Sequence, residues 1–63
     1  MNNQLKYLAT VNGITIGMFN DISEGRIACE RAIATGIAGY DMHVRKIIEI
    51  RDTTNAYNVV ARF

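Results

Sequence analysis

Seven Lys/Arg against six Asp/Glu in 63 residues leave a net charge of +1, too little to imply nucleic-acid binding from charge alone. A single cysteine excludes an internal disulfide, and with only one histidine beside it a zinc set is not expected. No run approaches the roughly 20 apolar residues that span a bilayer, and the start MNNQLKYLATV lacks the cationic and apolar blocks of a signal peptide. The expectation is one small domain, residues 1–63, in a reducing, cytoplasmic compartment. It carries no cofactor and has the thin stability margin of a short chain.

Leu5 to Asp21 reads as a β-hairpin. Asn12-Gly13 suits a two-residue turn, because both central residues of a type I′ turn take positive φ. That turn predicts Val11 opposite Ile14, Ala9 opposite Ile16 and Tyr7 opposite Met18 on a buried face. Thr10–Thr15, Leu8–Gly17 and Lys6–Phe19 then fall on the other face.

Asp21 to Gly39 is the one stretch with helical periodicity. Asp21 or Ser23 can cap its start, and Glu24 stands three positions after Asp21, as a capping box requires. At about 100° per residue, Ile22, Gly25, Cys29, Ala32, Ile33, Gly36 and Tyr40 share a stripe whose small centre lets the helix lie close to a sheet. Gly36 and Gly39 are the candidate terminators. Ile27 points outward without an evident packing partner.

Asp41 to Asp52 alternates again, Thr53-Thr54 reads as a turn, and Ala56 to Phe63 returns. With Arg51 opposite Ala56, Ile50–Tyr57, Ile48–Val59 and Val44–Phe63 fall under the helix. Arg45–Arg62, Ile47–Val60 and Glu49–Asn58 fall on the open side. The fold class is α+β: a single ββαββ domain, a four-stranded antiparallel sheet in the order 2-1-3-4 with one helix on one face. Right-handed crossovers and short connections favour that order. Its fourth strand is an apolar, proline-free edge, a template for a homodimer or partner strand.

The open face would then gather Lys6, Phe19, His43, Arg45, Arg51 and Arg62 around the single acid Glu49, with the acids Asp21, Glu24 and Glu30 on or beside the helix. Like charges across a strand pair, as at Arg45–Arg62, are destabilising, so a partner that favours them is expected. The candidate binding residues are Arg45, Arg51 and Arg62, surrounded by Lys6, His43 and Phe19. His43 has no nucleophile or clear carboxylate partner, and no glycine-rich loop opens a helix toward phosphate, so catalysis is not expected.

Tyr7-Leu8-Ala9-Thr10-Val11, followed by a turn, strand and helix and then by Ala38-Gly39-Tyr40-Asp41-Met42, resembles the small podophage inhibitors of bacterial RNA polymerase. Val44 and Lys46 stand where that family places its key arginines. The ββαββ layout with a basic sheet face is also similar to small anti-CRISPR proteins. These resemblances imply a non-enzymatic, phage-encoded inhibitor that sterically blocks a multi-subunit host nucleic-acid machine. A module that binds nucleic acid directly through the same face is the alternative.

Overall fold

The computed structural model describes residues 5–36 and 45–63. Strands β1 (Tyr7–Val11) and β2 (Ile14–Phe19) precede helix α1 (Ile22–Ala34), and β3 (Ile48–Asp52) and β4 (Asn58–Arg62) follow it. The strands form one antiparallel sheet in the order β2-β1-β3-β4. This is the expected ββαββ architecture, with β2 and β4 as the edges.

Helix α1 begins where its cap chemistry places it. Asp21 is extended (φ −143°) and its carboxylate accepts the Glu24 N–H at 2.9 Å. The Glu24 carboxylate reaches back to the Asn20 N–H at 3.3 Å. At the other end the Thr35 hydroxyl donates to the Arg31 and Ala32 carbonyls, and Gly36 turns left-handed (φ +81°). The buried side of the helix is its small stripe, Gly25, Cys29 and Ala32, with Ile22 and Ile33 at the margins. A methyl group on Gly25 would stand 3.0 Å from Ile50 Cδ1 and 3.3 Å from Ala9 Cβ. Close approach is therefore a sequence property of this stripe. Ala9, Val11, Cys29, Ile48 and Ile50 form the core beneath it. The predicted stripe member Tyr40 and terminator Gly39 lie outside the described residues.

Both hairpins depart from the predicted registers. Asn12 (φ 51°) and Gly13 (φ 83°) make the expected turn, and Val11–Ile14 and Thr10–Thr15 pair as predicted. A bulge then inserts Ile16, so that Ala9 faces Gly17, Leu8 faces Met18 and Tyr7 faces Phe19. One extra residue in one strand exchanges the faces of everything beyond it. In the second hairpin the turn spans residues 53–57 instead of Thr53-Thr54. The Asp52 carboxylate accepts from both the N–H (2.9 Å) and the hydroxyl (2.7 Å) of Thr54, an Asx-type turn. Ala56 (φ 58°) and Tyr57 (φ 57°) then turn left-handed. The resulting pairs are Asp52–Asn58, Arg51–Val59, Ile50–Ala61 and Glu49–Arg62, with a second bulge between Ile50 and Arg51.

Beyond β1–β3 pairing, the Asn12 side chain ties the two hairpins together. The Asn12 backbone N–H donates to the Ile47 carbonyl at 3.0 Å, and the Asn12 side-chain Oδ1 accepts the Ile47 N–H at 2.8 Å.

Candidate binding face

Alternation along β1 and β3 directs Leu8, Thr10, Glu49 and Arg51 away from the helix, because Ala9, Val11, Ile48 and Ile50 fill the core on the other side. Two rows of side chains cross this open face. One runs Met18, Leu8, Arg51, Val59; the other runs Thr15, Thr10, Glu49, Arg62. Thr10 is buried at the centre, its hydroxyl donating to the Glu49 carbonyl at 3.4 Å.

Glu49 organises the face. Arg62 Nη2 approaches Glu49 Oε2 at 2.7 Å, and Arg51 Nη2 approaches Oε1 at 3.0 Å. The Glu49 side chain is only 19% exposed, whereas Arg62 is 64% exposed. Hydrogen bonds from Arg62 and then Arg51 hold the Glu49 carboxyl below its ordinary range. Arg51 also donates Nη1–H to the Tyr57 carbonyl at 3.2 Å, which fixes the left-handed end of the turn to the face. Beside the arginines, Tyr57, Val59 and Val60 are exposed, Tyr57 by 54%.

The six predicted site residues separate. Arg51 and Arg62 come together, but through Glu49. Arg62 does not oppose Arg45, so the like-charge pair is corrected to an opposite-charge one by the longer turn. Arg45 is exposed in the segment that leads into β3. Lys6 joins Asp52 at 3.7 Å, and the Asp52 carboxyl is itself held low, chiefly by the Thr54 hydroxyl. Phe19 is not on this face. The Ile16 bulge moves it to the helix side, where its ring packs against the core and lies 3.2 Å from where a Gly17 methyl would sit. His43 lies outside the described residues.

The expected polarity of the sheet is accordingly weaker. Lys6, Arg51 and Arg62 share the carboxylates of Glu49 and Asp52. Among the described residues no group of three or more His, Cys, Asp or Glu could hold a metal. No described helix is long and apolar enough to cross a membrane. Cys29 is buried, its thiol directed at the Thr10 carbonyl at 3.8 Å, and burial followed by Glu30 raises its pKa.

Sequence reasoning read the fourth strand as an apolar edge but placed Tyr57 and Val59 under the helix; the longer turn leaves Tyr57, Val59 and Val60 exposed instead. It missed a groove of about 580 Å³ on the helix side, lined by Ile16, Phe19, Ile27, Ala28 and Ala32 together with Glu24, Arg31 and Thr35. The unpartnered Ile27 was the sequence signal for the groove. Comparison with protein-family models, curated proteins and solved structures finds no match to this chain.

Proposed function

We propose that this chain is a non-enzymatic protein-docking module of the phage-inhibitor type. It occupies a site on a larger bacterial nucleic-acid machine through the open sheet face and the β4 edge. The observation that carries this reading is the pair Arg51 and Arg62, both held by one carboxylate beside exposed Tyr57, Val59 and Val60. Arginine and tyrosine dominate the energetic centres of protein interfaces, and an arginine already oriented by a neighbour loses less freedom on binding. The backbone of an edge strand adds hydrogen bonds a partner strand can take up.

Direct nucleic-acid binding fits this arrangement less well. Phosphate recognition draws its strength from uncompensated cations, and Glu49 sits between the two arginines. Single-strand recognition stacks successive bases on several exposed aromatic rings; Phe19 is turned to the helix side, so Tyr57 alone stands beside the arginines.

The test is affinity capture from bacterial lysate with the tagged protein, with and without nuclease and at two salt concentrations. One defined complex should survive nuclease and salt. An Arg51→Ala/Arg62→Ala double variant, folded by circular dichroism, should lose it. Loss of all captured material on nuclease treatment would transfer the assignment to nucleic acid.

A further inference from the structure

The helix-side groove is separate from the open sheet face, and its features form a self-complementary pattern. It lies between α1 and the edge strand β2. Ile16 and Phe19 contribute to its walls, Phe19 brought to the helix side by the bulge. From the helix, Ile27 and Ala28 stand at its middle, and Ile27 is 50% exposed. Glu24 and Arg31 stand three residues before Ile27 and three after Ala28, one full charge at each side of the apolar pair. The Arg31 guanidinium makes no polar contact with the other described residues.

We infer that this groove is covered by a second copy of the chain, with the two α1 helices packed antiparallel about a two-fold axis between Ile27 and Ala28. In an isologous contact each residue meets its counterpart's complement. The axis therefore sets Glu24 against Arg31 of the second copy, and Arg31 against Glu24 of the second copy. It also seats each Ile27 against the small Ala28 opposite. A parallel arrangement would set like charges together instead.

The geometry of the sheet allows this approach. Helix α1 packs on β1 and β2 and less on β3, and the groove between its outer side and the β2 edge is open to approach. Two copies that meet along this side of α1 can bring their helices to the spacing of about 8–10 Å at which helices pack. Ile16 and Phe19 then lie beneath the helix pair and lose their remaining contact with water.

Charge complementarity selects a second copy over a generic apolar partner, and it makes the test specific. Wild-type protein should sediment as a concentration-dependent dimer. Arg31→Glu and Glu24→Arg should each weaken self-association by about tenfold or more, since both symmetric pairs become repulsive. Mixing the two variants should restore a one-to-one heterodimer, because one chain then carries two acids in the groove and the other two arginines. Ile27→Asp, at an exposed position that folding does not need, should abolish association in the wild-type background.

A wild type that remains monomeric at all accessible concentrations would overturn the inference. So would a dimer that persists unchanged in Arg31→Glu and Ile27→Asp, which would place self-association elsewhere, as at the β4 edge. If Ile27→Asp leaves a monomeric wild type unchanged in size but removes the captured host complex, the groove belongs to that partner and not to a second copy.

Discussion

The two faces of this sheet are held by different physics. Under the helix, Ala9, Val11, Ile48, Ile50 and Cys29 are buried and interlock with a stripe of small residues. On the open side, order comes from directional contacts. Glu49 grips two arginines, Arg51 grips the Tyr57 carbonyl, and Thr10 donates to a backbone carbonyl in the next strand. The covered face depends on volume and tolerates little change in it. The open face depends on charge geometry instead.

The largest expected effect separates the faces at once. Ile50→Ala removes a side chain with no solvent exposure and should cost about 2–5 kcal/mol. A chain of this length has about 3–9 kcal/mol in total, so the urea denaturation midpoint should fall by a large fraction of its wild-type value. Arg62→Ala on the open face should shift the same curve by under about 1 kcal/mol.

Gly25→Ala sharpens the volume argument. Its methyl gains about 1 kcal/mol of helix propensity. It also meets the rigid Ala9 Cβ at 3.3 Å and Ile50 Cδ1 at 3.0 Å, and such overpacking costs about 1–3 kcal/mol. A net loss of about 1 kcal/mol is expected, against a gain if the face were loosely packed.

At the turn that feeds the open face, Ala56 holds a left-handed conformation without being glycine. Ala56→Gly relieves about 1–2 kcal/mol of strain and loses about 0.4–1 kcal/mol through the freer unfolded chain. A rise in stability of about 0.5–1 kcal/mol should appear in the denaturation midpoint.

The smallest effect is electrostatic. The Glu49 carboxyl titrates below its unfolded value of about 4.3, so its contribution is fully present above that pH. It is lost as the pH falls through the lower folded value. Stability measured down this range should decline less steeply in Glu49→Gln than in wild type. Equal slopes would mean that the arginines do not depend on this charge.

Asn12-Gly13, the Asp21 cap, the small helix stripe and the strand order were all legible in the sequence, because each rests on a local chemical requirement. The Ile16 bulge was not. Gly17, directly after it, was the available signal, since an isolated glycine inside a strand often marks a bulge; the Phe19 ring that gains from it is placed by packing against Gly17, Gly25 and the core. The second turn did leave a signal. A two-residue turn at Thr53-Thr54 would need positive φ at two β-branched residues, which they resist. Asp52 with Thr54 two positions later is an Asx-turn pattern. The predicted Arg45–Arg62 pair was itself a warning: a destabilising pairing more often marks a shifted register than a waiting partner. Of the predicted site, Arg51 and Arg62 were legible as neighbours. Their common link, Glu49, was read only as the lone acid of the face.

The strand order also governs when this protein can become a protein. β1 lies inside the sheet, but its second neighbour, β3, begins 37 residues after β1 ends. The first hairpin and the helix can form from local contacts as the chain emerges from the ribosome. Until β3 arrives, β1 has an unpaired inner edge and Val11 and Ala9 lack half of their covering. Pairings this distant in sequence slow folding and lengthen the life of exposed edges. The contact in which Asn12 grips the backbone of Ile47, at the entry to β3, ties that late strand to the turn of the first hairpin.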